Sequence, residues 1–298
     1  MSQPRLFLPI VATAGAVGLL SLMDAFMKDA SLAAGAYSAS LVRSVMAVAV
    51  MGPVWIIAGA RMPEQDALRV HILRGTVSAF MMTTFFFALT RLRLAEAIAI
   101  YFIAPILALY LARLILGEQV GKRAYLGAIL GLAGTLVIVG GRLFNERMDH
   151  ANWIGLASLL VSAGLYAVNL VLQRKQALLA GPVEIATFQN LVVACVLAVA
   201  APFWLVIPDT PALVNIGAAA ALSTVSALIL AWSYARQEAQ VLVPLEYTGF
   251  LWAGLFGWMF FGEAVTLPMV AGALIIVAGC WIAVPRRGKM PHTEQVAV

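Results

Sequence analysis

The chain has 298 residues, of which 63% are hydrophobic and 11% charged, with a mean hydropathy of +0.96 and a formal charge of +5. Soluble domains are about half apolar and about a quarter charged, so a water-soluble globule is excluded. The basic residues sit in short connectors and at the C-terminus, with no basic stripe interleaved with aromatics, which excludes a nucleic-acid partner and suits the orientation signals of a membrane protein.

Arg5, the apolar run behind it and Ala12-Thr13-Ala14 imitate a secretory signal. The run continues to about Met27, too long for a signal core, so it reads as an uncleaved first membrane helix. Apolar stretches of spanning length, roughly 20 residues each, then follow one another: 7–27, 37–59, 70–90, 95–116, 123–142, 153–173, 182–206, 212–235, 241–261 and 266–284. The connectors are short and polar, such as Arg61-Met62-Pro63-Glu64, Gly117-Glu118-Gln119 and Gly262-Glu263. The longest, about 143–152, divides the chain into a first unit, 1–142, and a second, 153–284, with a polar tail over 285–298. With the N-terminus inside, thirteen Lys/Arg fall on the inner side and five on the outer, Arg91 and Arg93 being the local exception. The bias predicts both termini in the cytoplasm and an even number of helices.

A shift of 145 residues brings the two units into register: Gly117-Glu118 falls on Gly262-Glu263, Gly127 on Gly272, Gly134 on Gly279 and Arg91 on Arg236. Five helices per copy is an odd number, so the second copy enters the bilayer from the opposite side. The expected fold is therefore all-α and integral to the membrane, ten transmembrane helices as two inverted five-helix repeats. That is the architecture of alternating-access carriers, with a site near the midplane between the repeats. The glycines of helices 5 and 10 allow close backbone approach, within the chain or between two copies, and the oligomeric state stays open. Glu118 and Glu263 serve turn formation, an ion pair or a gate between the halves.

The stretches Phe87-Ala88-Leu89 through Ala104-Pro105 to Gly117-Glu118, and Val243-Pro244-Leu245-Glu246-Tyr247 to Gly262-Glu263, give the chain a resemblance to the drug/metabolite transporter superfamily, specifically its EamA-type exporters. The resemblance spans about 7–284 and is strongest to amino-acid exporters, aromatic ones included. It implies a bacterial inner-membrane location, export from the cytoplasm, and a central cavity lined by helices 1, 3, 4, 6, 8 and 9. Pro105 has no proline counterpart, since Phe250 stands there, which predicts a weaker break in helix 9, with Pro244 nearby.

Polar groups within spans are costly and usually face the bundle interior. On that ground, and with the aromatics beside them, the substrate-binding candidates are Phe80, Met82, Thr83, Tyr101, Phe102, Tyr166, Asn169, Trp232, Glu246 and Tyr247. Tyr166 and Asn169, at i and i+3, share a helix face; Glu246 and Phe250, at i and i+4, would share another. Arg43, Gln189, Asn190, Ser223, Thr224 and Ser226 are further intramembrane polar groups. A carboxylate with aromatic faces suits a solute bearing an amine and an apolar body. Glu246 and Asp24 are the candidates for proton coupling. Plainer roles compete: Asp24 and Arg43 as a structural ion pair, the helix 8 hydroxyls on their own backbone, Phe85–Phe87 as packing, and Trp55, Trp153, Trp204 and Trp281 as interfacial anchors.

Cys195 and Cys280 lie in apolar runs, and His71, His150 and His292 are scattered and read as loop or interface residues. No metal site or cofactor is expected. The sequence holds no Walker loop, so ATP is not the direct energy source, and no catalytic constellation, so an enzyme is not expected. The partners expected are the lipid bilayer and a small-molecule substrate. The expected function is a secondary transporter exporting small metabolites, amino acids foremost. The rival is an exporter of cationic drugs or nucleosides, which would ignore free amino acids in competition.

Overall fold

The computed structural model describes residues 4–59, 61–92, 101, 103–117, 120–143, 150–261 and 267–283. Phe102, Glu118, Glu263, His292 and the tail 285–298 lie outside them. The regular elements among the described residues are all helices, the longer ones being α1 (Pro4–Ala34), α2 (Ala36–Ile57), α3 (Gln65–Leu89), α4 (Ile103–Ile115), α5 (Lys122–Leu143), α6 (His150–Leu179), α7 (Pro182–Ala198), α8 (Thr210–Arg236), α9 (Thr248–Phe261) and α10 (Leu267–Ala283). Among the described residues, α1, α2, α3, α6 and α8 are by length and composition able to cross a bilayer, and α4, α7 and α10 are shorter apolar helices. The outer surface of the bundle is apolar, with Ile57, Phe203, Ile207 and Leu267 each more than four-fifths exposed. Such a surface needs lipid as its solvent.

Helix boundaries follow local chemistry. Gly35 (φ 81°) separates α1 from α2, and Gly117 (φ 66°) follows the end of α4; both backbones are left-handed, where only glycine is free of steric cost. Asp209 caps α8, its carboxylate accepting from the Ala212 N–H at 3.0 Å. The ninth apolar run is not one helix. Ala239–Leu242 form a single turn, Val243–Tyr247 a 3₁₀ turn, and α9 begins at Thr248. Pro244 has no N–H to continue an α-helical ladder, so the break is stronger than the missing counterpart of Pro105 suggests.

The helices pair in a regular pattern: α1 with α8 and α9, α6 with α3 and α4, α2 with α7, and α5 with α10. Glycines set several of these contacts. A Cβ on Gly279 would lie 2.8 Å from the Gly127 carbonyl oxygen and 3.2 Å from the Gly131 nitrogen, so α5 and α10 meet backbone to backbone. The glycine faces of these two helices are thus used on each other. Gly75 of α3 accommodates Val192 of α7, and Gly18 of α1 accommodates the indole of Trp252, whose N–H donates to the Ala14 carbonyl at 3.0 Å.

Candidate functional site

A cavity of about 250 Å³ lies within the bundle, lined from α1, α2, α3, α6, α7 and α8, together with Tyr101, Glu246 and Gly249. Helices 2 and 7 therefore contribute in addition to the six expected, through Arg43 and through Ile185, Gln189, Asn190 and Val193. The walls are mostly apolar, and the polar groups other than Ser21, Asn190 and Ser223 fall into three sets.

The first is aromatic and acidic. Tyr101 stacks on Tyr166 at 4.8 Å with 16° between the rings, and Phe85 lies 4.7 Å from Tyr101. The Tyr166 hydroxyl donates to Oε2 of Glu246 at 2.6 Å. The 3₁₀ turn explains this geometry: at three residues per turn, neighbours point about 120° apart. Glu246 enters the cavity while Tyr247 turns away.

The second set is a buried network on the neighbouring side. Arg74 of α3 donates through Nε to Asn169 Oδ1 at 3.0 Å, through Nη2 to Gln173 Oε1 at 2.7 Å, and through Nη1 to Gln176 Oε1. Ser78 also donates to Asn169 Oδ1, at 2.9 Å, and itself accepts from Gln189 Nε2 at 2.6 Å. Because Gln176 Oε1 receives Arg74, its amide nitrogen faces and donates to His71 Nδ1. That leaves the His71 Nε2–H to donate to Glu184 Oε1 at 2.9 Å. His71 is fully buried and stacks on Phe188 at 5.3 Å, not the loop or interface residue its scatter suggests.

The third set is Asp24 on α1 and Arg43 on α2. They interact electrostatically, and no direct salt bridge joins them among the described residues. Arg43 Nη2 points at the Met82 sulfur, 3.5 Å away.

Of the sequence candidates, Met82, Tyr101, Tyr166, Asn169, Glu246 and Asp24 line the cavity. Four others do not. Phe80 is 57% exposed on the outer face of α3. Thr83 donates to the Ala79 carbonyl of its own helix at 2.8 Å. Trp232 lies under the Arg236 guanidinium, 4.3 Å from its ring centroid, near the end of α8. Tyr247 is fully buried against Gly131 of α5, where a Cβ would come within 2.5 Å of the ring. Glu246 being in a 3₁₀ turn, its expected α-helical pairing with Phe250 does not apply; the side chain of Phe250 lies outside the described residues.

Sequence reasoning missed Arg74, Gln173 and Gln176. Arg74 reads as a connector residue close to the start of an apolar run, yet it sits well inside α3. The signal was the continuation of the α6 face: Tyr166, Asn169, Gln173 and Gln176 recur at i, i+3, i+7 and i+10, one stripe of a helix.

Residues 8–140 match the EamA-like transporter family. The chain is 26% identical over 274 residues to the pseudopaline exporter CntI of Pseudomonas aeruginosa, covering 90% of this chain and 93% of that protein. It is 25% identical over 211 residues to the riboflavin transporter of Rhizobium johnstonii, covering 70% and 67%. It is 23% identical over 214 residues to the S-adenosylmethionine uptake transporter of Rickettsia prowazekii, covering 70% and 69%. A known crystal structure superposes with a TM-score of 0.73 over 92% of this chain and 97% of its own, at 20% identity, a likeness of fold alone.

Proposed function

Residues 8–140 being an EamA-like transporter domain, we propose that the chain is a secondary transporter that exports small polar metabolites, amino acids foremost, across the bacterial inner membrane. The carrying observation is the cavity itself: about 250 Å³, inside an apolar helical bundle, with carboxylates, guanidinium groups and stacked aromatics on its walls. Small-molecule pockets run from roughly 300 to 1,000 Å³, so this one suits a small solute better than a bulky drug. A lipophilic cation would also have to sit beside the guanidinium groups of Arg43 and Arg74, which disfavours the cationic-drug rival. The named relatives carry chemically different cargoes and include both an exporter and an uptake transporter, so family membership alone selects neither cargo nor direction.

The mechanism we propose is alternating access by two inverted repeats of five helices, 1–142 and 153–284, with both termini cytoplasmic. Helix pairing supports it. If helices 1 to 5 correspond to 6 to 10, the contact of α1 with α8 maps onto that of α6 with α3, and α1 with α9 onto α6 with α4. The α2–α7 and α5–α10 contacts map onto themselves, as pairs on a two-fold axis do. Rocking one repeat against the other then exposes a fixed site to each side in turn.

Efflux from proteoliposomes preloaded with radiolabelled threonine, methionine or phenylalanine, with and without a pH gradient, tests this reading. Saturable efflux is expected. A folded protein that moves no amino acid but moves lipophilic cations or nucleosides would establish the rival.

A further inference from the structure

Arg74 presents an electrostatic imbalance. It is 9% exposed yet lines the cavity. A buried guanidinium is costly unless it is paired or fully hydrogen-bonded. Its three hydrogen bonds all end on neutral amide oxygens, those of Asn169, Gln173 and Gln176. Among the described residues the ion pairs are Arg69–Asp66 and His71–Glu184, and no carboxylate reaches Arg74. Arg43, the other cationic group of the cavity wall, has Asp24 as its electrostatic partner. Arg74 thus keeps a full positive charge with dipoles around it and no carboxylate in direct contact, Glu184 being reached only through Gln176 and His71.

The cradle also fixes how the group is presented. A guanidinium has five N–H bonds. Three are spent, which leaves one on each Nη. The amide oxygens come from a single stripe of α6 and hold the guanidinium plane while leaving charge to be neutralised. A planar, two-oxygen anion is the natural complement, since paired N–H donors bind carboxylates in a forked geometry. The supports of the two poles lie close together: Asn169 holds Arg74, and Tyr166, one turn away on the same face and about 4.5 Å along the axis, holds Glu246.

We propose that Arg74 is the anion-binding site of the cavity and that the transported solute docks a carboxylate on it. This rests on the transporter reading and narrows its cargo to acids and zwitterions. A role confined to pinning α3 against α6 would give the same hydrogen bonds but no preference between an acid and its amide.

The test is isothermal titration of the purified full-length chain in detergent with matched pairs: phenylalanine and phenylalaninamide, threonine and threoninamide, nicotinate and nicotinamide. In every pair that binds, the acid is expected to bind at least about tenfold tighter, the amide having lost a charge-assisted contact. Arg74→Gln should erase the preference, and Arg74→Lys, which keeps charge but loses the fork, should retain part of it. The wild-type comparison stands even if the variants do not fold. Equal binding of acid and amide overturns the assignment, as does binding of carboxylate-free solutes alone. Flux in proteoliposomes separates this from the broader reading. Acid preference without flux of the bound acid overturns transport and leaves the Arg74 site standing; phenylalanine flux inhibited equally by phenylalanine and phenylalaninamide overturns Arg74 alone.

Discussion

The hydroxyl of Tyr166 and the carboxylate of Glu246 meet at 2.6 Å, joining residues 80 apart in the chain. The bond ties α6 to the 3₁₀ turn ahead of α9, the helices taken as the first of the second repeat and its fourth. Its acceptor is an ionisable group that lines the cavity, so a change in the state of Glu246 acts directly on the contact between two cavity walls.

If Glu246 carries a coupling proton, Glu246→Gln should abolish the response of phenylalanine efflux to a pH gradient while leaving exchange down a concentration gradient. Asp24→Asn is the comparison, since Asp24 is the other carboxylate lining the cavity: a response lost there and kept in Glu246→Gln would assign the proton to Asp24. An unchanged gradient response in the Gln variant would remove Glu246 from the coupling role.

Tyr166→Phe keeps the ring stacked on Tyr101 and deletes only the donor to Glu246. Hydrogen bonds to charged groups contribute about 1.5–3 kcal/mol, so the KM for phenylalanine should move at least about tenfold with little loss of folded protein. An unaltered KM would place the substrate away from this bond.

Side-chain direction on α3 can be read by substitution. Phe80→Ala removes an outward ring and should leave transport unchanged, whereas Phe85→Ala removes a ring in the cavity that lies against Tyr101 and should weaken aromatic amino-acid binding by about two- to tenfold, an aromatic pair contributing about 0.5–1.5 kcal/mol beyond buried area. The reverse order of effects in competition assays would mean that α3 is rotated.

Gly279→Ala and Gly75→Ala force a methyl to 2.8 Å from a backbone oxygen and 2.5 Å from Val192 Cβ respectively, while Gly15 has open space around it. Overpacking costs about 1–3 kcal/mol. Thermal unfolding in detergent should therefore drop by several degrees for the first two and hardly at all for Gly15→Ala. Equal behaviour of all three would contradict the backbone contact between α5 and α10.

Much of the fold was legible along the chain. The apolar runs coincide with helices within a few residues at most ends, because hydropathy over about 20 residues is a local property that the bilayer imposes. Tyr166 and Asn169 were also within reach, since i, i+3 spacing places them on one face whatever the neighbours. Phe80 and Thr83 were not distinguishable from Met82 and Phe85. In a helix apolar on nearly every side, the period does not say which face meets lipid and which the cavity.

By itself the sequence determined the solvent of this protein, its helical class, and the glycine positions where backbones can approach, all of which depend on residues read within one run. Only the tertiary structure decided which polar groups meet. Arg74 finds its amide cradle about a hundred residues away, and Pro244 turns Glu246 toward the cavity and Tyr247 toward Gly131. Hydrogen-bond partners on different helices are selected by packing geometry, and a buried charge has a functional meaning only once the groups around it are known.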